Sequence, residues 1–177
     1  MKETIKIPEG VEVEISDENI KIKGKLGEVE KKFYHPKLVI KKENEEIILE
    51  SKEDTKKVLA ILGTWKAHLK NMFKGVTEGF EYRMKITYVH FPMDVKVEGN
   101  RVVIRNFLGQ KSPRYAKILD GVEVKISGSD VILKGIDRER VGQTAGNIER
   151  ATRLLKRRDR RKFSDGIYIV SKGEKNE

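Results

Sequence analysis

The stretch GVEVKISGSDVILKGIDRERVGQTAGNIERA, residues 121–151, carries the reading on which the fold depends. In its first half, apolar side chains alternate with polar ones: Val122, Val124 and Ile126, then Val131 and Leu133, on either side of Ser127-Gly128-Ser129-Asp130. Alternation of period two, broken by turn-forming residues, predicts a β-hairpin with one face buried and one wet. At Asp137 the period changes, and Val141, Ala145, Ile148 and Ala151 return at helical spacing. Asp137 is the expected N-cap, because its short carboxylate can accept from the unpaired backbone N–H groups of the first helical turn. A hairpin running into an amphipathic helix predicts α+β architecture, with the helix covering the buried face of the sheet.

The same grammar appears earlier in the chain. A shift of about 84 residues places Pro8, Val11 and Val13 on Pro92, Val95 and Val97, Leu26-Gly27 on Leu108-Gly109, and Ile47-Ile48-Leu49 on Val131-Ile132-Leu133. An acid, Asp54 or Asp137, then precedes a helical pattern in both halves. Val11, Val13 and Ile15, followed by Ile20 and Ile22, predict a first-half hairpin around Ser16-Asp17-Glu18-Asn19. The first-half helix should begin with Asp54 or Thr55 as N-cap, run to Lys74 and stop at Gly75, with Val58, Leu62, Trp65, Leu69, Met72 and Phe73 as its apolar stripe. The expectation is two tandem duplicated α+β domains, residues 1–88 and 89–177. Each is a small, mostly antiparallel β-sheet covered by one main α-helix.

Charge is shared unequally between these halves. The 177 residues carry 38 Lys and Arg against 28 Asp and Glu, a net +10. Residues 1–88 hold 18 basic and 16 acidic side chains, +2, and residues 89–177 hold 20 and 12, +8. The first domain therefore reads as a near-neutral scaffold and the second as the contact surface for a polyanion. Arginine concentrates there: ten basic residues against three acids lie between Arg138 and Lys162. The planar guanidinium fork matches phosphate oxygens in two-point contacts that lysine cannot reproduce. On the second helix Gln143, Thr144, Asn147 and Arg150 fall within two turns, the residue types that position phosphates and 2′-hydroxyls rather than read bases. Gly142 and Gly146, one turn apart, each cost about 1 kcal/mol relative to alanine. A close approach to a sheet and a close approach to a sugar-phosphate strand both account for them.

Other function classes find little support in the residues. There is no cysteine, and His35, His68 and His90 are too scattered for a metal site. No phosphate-binding loop of P-loop spacing, paired-histidine motif or nucleophile elbow is present, so neither catalytic nor metal-binding residues are expected. Asp137 with Glu139 would be the only candidate pair for a nuclease. The opening Met1-Lys2-Glu3-Thr4-Ile5-Lys6 lacks the apolar core of a secretory signal, which predicts a cytoplasmic protein with no membrane partner. A free nucleic-acid-binding or adaptor protein is the competing reading.

Several separated segments carry a family resemblance. Ile7-Pro8-Glu9-Gly10-Val11, the run Ile20 to Glu28, Gly75-Val76-Thr77-Glu78-Gly79-Phe80, and Leu133-Lys134-Gly135-Ile136-Asp137-Arg138 through Val141-Gly142-Gln143-Thr144-Ala145 resemble the family of the sixth protein of the large ribosomal subunit. The resemblance spans essentially the whole chain. It implies a non-enzymatic ribosomal protein without cofactors, built of two α+β domains born of gene duplication. It further implies binding to large-subunit ribosomal RNA, chiefly through the C-terminal domain. That contact would lie in the 3′ RNA domain near the sarcin-ricin loop, where translational GTPases dock, beside neighbouring ribosomal proteins.

Carried over by position, the resemblance implies RNA contact for Arg138, Arg140, Gln143, Thr144, Asn147 and Arg150, helped by the loop of Gln110, Lys111 and Ser112 with Arg114 beside it. After the second helix the chain departs from the proline-rich bacterial pattern and looks like the archaeal and eukaryotic branch. There Arg153, Lys156, Arg157, Arg158, Arg160, Arg161 and Lys162 are assigned to RNA from their charge alone.

Overall fold

The structure, a computed structural model, describes residues 1–154, 159 and 161–173. It divides into two compact units, Met1–Gly79 and Phe80–Glu177.

The first unit runs β1 (Lys2–Lys6), β2 (Glu12–Ser16), β3 (Asn19–Gly24), β4 (Gly27–Lys32), β5 (Leu38–Glu43), β6 (Glu46–Ser51) and α1 (Lys56–Thr77). Its strands form two antiparallel sheets, ordered β2-β3-β4 and β1-β6-β5. Helix α1 packs on β3, β4 and β6 with the expected stripe of Val58, Leu62, Trp65, Leu69, Met72 and Phe73 buried. Phe33 meets the Trp65 ring edge-on, with centroids 5.5 Å apart. Of the two candidate caps it is Thr55 whose hydroxyl accepts from the Val58 N–H, at 3.4 Å.

The helix does not stop at Gly75. Gly75 and Val76 are both buried in it, and the Val76 carbonyl accepts from the Leu26 N–H at 2.9 Å. Burial of this turn outweighs the helix penalty of one glycine. The turn-off comes at Gly79, whose φ of 76° is left-handed and whose N–H closes back on the Lys74 carbonyl at 3.1 Å.

The second unit runs β7 (Phe80–Thr87), β8 (Asp94–Glu98), β9 (Arg101–Arg105), a single 3-10 turn at Phe107–Gly109, β10 (Arg114–Lys117), β11 (Glu123–Ser127), β12 (Asp130–Gly135), α2 (Arg138–Ala151) and β13 (Gly166–Ser171). Its sheets are ordered β10-β9-β8 and β11-β12-β7-β13. The wiring of the first unit recurs strand for strand: β2-β3-β4 becomes β8-β9-β10, and β1-β6-β5 becomes β7-β12-β11. The hairpins read at residues 11–22 and 122–133 are both present, but they occupy different places in the repeat. The first is β2-β3, and the second is β11-β12, the counterpart of β5-β6.

Strand β7 lies between β12 and β13, paired with both. Tyr82, Met84 and Ile86 point from it into the core of the second unit. The division between units therefore falls at Gly79, ahead of the boundary expected after residue 88. A strand with both edges hydrogen-bonded and one face buried belongs to the sheet that surrounds it. The added strand, β13, has no counterpart in the first unit and follows the arginine-rich run.

Helix α2 packs on β7, β10, β12 and β13. Its Asp137 cap is as expected, accepting from the Glu139 N–H at 2.9 Å. Gly135 lets the end of β12 close on the helix, since a Cβ there would stand 2.6 Å from Cγ2 of Val141.

Candidate nucleic-acid interface

One stripe of α2 faces away from the core. Val141, Thr144, Ala145 and Ile148 are buried against the sheets, whereas Arg140, Gln143, Asn147 and Arg150, at spacings of three, four and three, line up on the far side. The amides are already oriented: Gln143 Nε2 donates to Asn147 Oδ1 at 3.0 Å, and Asn147 Nδ2 donates to the Lys117 carbonyl of β10 at 3.1 Å. Arg140 stays exposed but is steered by the Asp120 carbonyl at 3.2 Å and the Asp137 carboxylate at 3.5 Å. Arg138 lies apart from this stripe, its guanidinium 5.9 Å from the centre of the Phe80 ring.

Thr144 does not belong to the surface, contrary to expectation. It is fully buried, its hydroxyl donating to the Arg140 carbonyl at 2.8 Å and accepting from the Leu119 N–H at 3.2 Å. The core side of α2 takes a threonine because this hydroxyl satisfies the connection after β10. Thr144 holds the helix and that connection in place and presents nothing to a ligand.

Arg114 also differs from the sequence reading. Its guanidinium donates to Gln110 Oε1 at 3.0 Å, to the Ala151 carbonyl at 2.8 Å and to the Arg153 carbonyl at 3.3 Å, and lies 4.4 Å from the Phe107 ring centre. It therefore acts inside the protein, bolting the loop of Gln110, Lys111 and Ser112 to the C-terminal end of α2. Lys111 and Ser112 are exposed beside it. The loop direction is set upstream, where Asn106 and the buried Leu108 take left-handed φ values of 59° and 50° and Asn106 Nδ2 donates to the Pro92 carbonyl at 2.9 Å. A cation on the last carbonyls of a helix is favoured by the helix dipole.

At the end of α2 and just after it, Arg150 and Arg153 are exposed and have no ion pair or side-chain hydrogen bond among the described residues. Arg161 is exposed but paired with Asp159 through Nε and Nη2 at 3.1 and 3.0 Å. Hydrogen bonds from its side chain and then its backbone N–H hold the Asp159 carboxyl below the usual carboxylate range. Lys162 is exposed. Lys156, Arg157, Arg158 and Arg160 lie outside the described residues.

The far end of this segment is anchored by groups that the sequence reading did not single out. Asp165 is buried, with His90 Nδ1 3.3 Å from Oδ1 and the His90 N–H donating to Oδ2 at 3.5 Å. The His90 ring lies 4.9 Å from that of Phe163, centre to centre. Thr152, also buried, donates to the Glu149 carbonyl at 3.2 Å and accepts from the Ile167 N–H at 3.0 Å, tying the end of α2 to the start of β13. The Asp-Gly step before an apolar run was the one available sequence signal for Asp165; nothing local marked its contact with His90.

A helix face of arginines and amides, with a loop bolted beside it, has the charge and donor chemistry that would suit a polyanion, in a chain of duplicated α+β design. A model of the family "Ribosomal protein L6" matches residues 7–79 and again 91–166, once in each unit. The chain is 50% identical over 169 residues to the large ribosomal subunit protein uL6 of Methanosarcina mazei, covering 96% of each chain. It is 47% identical to that of Methanococcus vannielii, covering 99% of this chain and 96% of the other. With that of Methanobrevibacter smithii the identity is 48%, over 97% and 96%. The chain belongs to the ribosomal protein L6 family, in its archaeal-type branch. It is accordingly a structural, non-enzymatic constituent of the cytoplasmic ribosome.

Proposed function

We propose that this protein is built into the large ribosomal subunit by its second unit, which binds the 3′ domain of the large-subunit RNA near the sarcin-ricin loop and stabilises it where translational GTPases dock. The first unit, near neutral in charge, serves as scaffold and faces neighbouring ribosomal proteins. The stripe of Arg140, Gln143, Asn147 and Arg150 carries this reading, because its amides are held in fixed orientation while Arg150 is exposed without a partner among the described residues. Groups of that kind favour phosphates and ribose hydroxyls in a defined arrangement, so recognition works through backbone and shape. The archaeal relatives, named as large-subunit proteins, support the placement in the large subunit.

Crosslinking the full chain in cell extract and sequencing the attached fragments tests the proposal. The expected fragments come from the 3′ domain of large-subunit RNA. Fragments dominated by messenger or transfer RNA would argue for a nucleic-acid-binding role outside the ribosome.

A further inference from the structure

The end of α2 and β13 enclose a cavity of about 590 Å³ that the expected contacts leave unexplained. We infer that it receives one unstacked nucleotide of the bound RNA and prefers guanine, an inference that rests on reading the second unit as an RNA interface.

Gly146 is the first observation. It lines the cavity, and a Cβ built on it would meet no atom of the described residues within 4 Å. Gly142, one turn earlier, has the Tyr82 hydroxyl 3.6 Å from the same construction. A mid-helix glycine destabilises the helix, and at position 146 no strand or side chain among the described residues requires it. What the missing side chain does is keep the cavity open.

The cavity wall has the parts a nucleotide needs. Tyr168 lines it while remaining 42% exposed, and its ring is held in place: the hydroxyl donates to the Asp165 carbonyl at 3.3 Å, and ring atoms lie 3.0 Å from where a Cβ on Gly166 would stand. A base stacking on a ring already fixed immobilises little on the protein side. Arg150 and Arg153 line the cavity without an ion pair or side-chain hydrogen bond among the described residues, available to the phosphate. The helix C-terminus would ordinarily repel that phosphate. Here the Ala151 and Arg153 carbonyls accept from Arg114, and the Glu149 carbonyl accepts from Thr152.

Glu149 sets the preference. It is an exposed carboxylate on the wall of a cationic site, where a phosphate alone would gain nothing from it. Two parallel N–H donors suit a carboxylate, and among the four bases only the Watson–Crick edge of guanine offers two, N1–H and N2–H₂, side by side. An unpaired base splayed from the RNA presents that edge.

The test uses the ¹⁵N-labelled full chain titrated with GMP, AMP, CMP, UMP and inorganic phosphate. GMP is expected to shift the amides of Gly146, Arg150, Tyr168 and Ile169 saturably, with Kd on the order of 1 mM, and UMP to bind roughly tenfold more weakly. Tyr168→Ala should weaken GMP binding about tenfold, and Glu149→Gln should erase the preference over UMP. Gly146→Leu, which fills the space, should abolish the shifts and lower affinity for large-subunit RNA. If that variant fails to fold, the Tyr168 and Glu149 variants decide.

The inference is overturned if these amides stay unmoved at about 10 mM GMP, or if all four nucleotides and phosphate act alike while the chain still prefers ribosomal RNA. Loss of that RNA preference with GMP binding intact would instead sink the reading of the second unit and leave the cavity assignment standing.

Discussion

Replacing Thr144 with valine separates a structural role from an RNA contact at one position. Valine has nearly the shape of threonine, so no cavity forms; the change removes a hydroxyl that is fully buried. The Arg140 carbonyl loses a 2.8 Å donor but still accepts the α-helical hydrogen bond within α2. The Leu119 N–H, part-buried and 3.2 Å from the hydroxyl, loses the acceptor that the side chain provides. An amide left without its acceptor in that setting costs about 1–2 kcal/mol, the lower part of the range for buried polar groups.

For a unit of this size that corresponds to roughly 4–8 °C in Tm per kcal/mol. Hydrogen exchange followed by mass spectrometry should show the 138–151 peptides exchanging about five- to thirtyfold faster, with peptides of residues 56–77 unchanged. Affinity for large-subunit RNA and its salt dependence should stay as in the parent chain. Unchanged exchange together with a tenfold or larger loss of RNA affinity would show that the hydroxyl acts on RNA, and the placement of Thr144 in the core would be refuted.

Strand β7 makes a sharper prediction about where the chain can be cut. Residues 80–177 should fold and keep most of the RNA affinity, whereas a chain beginning at residue 89 lacks the strand between β12 and β13 and should show no cooperative unfolding by circular dichroism. Arg150→Ala and Arg153→Ala should each flatten the plot of log affinity against log salt by about 0.7–0.9, measured by filter binding, without changing which RNA is preferred. Asp159→Asn releases Arg161 from its internal partner and should raise RNA affinity several-fold. Because Arg161 lowers the Asp159 carboxyl from its ordinary value, the parent pair stays intact at neutral pH and is lost only as pH falls through that lowered value. Affinity near neutrality should therefore not vary with titration of Asp159.

The architecture was legible because it rests on local periodicity. Alternation at Val122 to Leu133, helical spacing from Val141 to Ala151 and the repeat of both in the first half lead to a duplicated α+β chain, and one family match falls in each unit. What escaped the sequence depends on pairing between distant segments. Phe80 to Thr87 alternates like any half-buried strand, and only its ladders to β12 and β13 assign it to the second unit. The end of α1 was misplaced because a glycine at position 75 signals a stop, while the burial of Val76 that carries the helix onward is tertiary.

The site shows the same limit. Helical spacing groups Gln143, Thr144, Asn147 and Arg150, and the resemblance adds Arg140; the structure aligns Arg140, Gln143, Asn147 and Arg150 in one stripe and buries Thr144. Thr144 and Arg114 have the residue types of RNA contacts and side-chain partners inside the fold, 25 residues away at Leu119 and 37 at Ala151. Composition cannot distinguish an outward polar side chain from one that bonds a distant backbone group.

The central claim is that the arginine and amide face of the second unit fits folded RNA rather than negative charge in general. Competition of the full chain between a large-subunit 3′-domain transcript and poly-uridine of equal length, at near-physiological salt, measures that directly. The transcript should win by at least about a hundredfold; equal binding of the two would contradict the account.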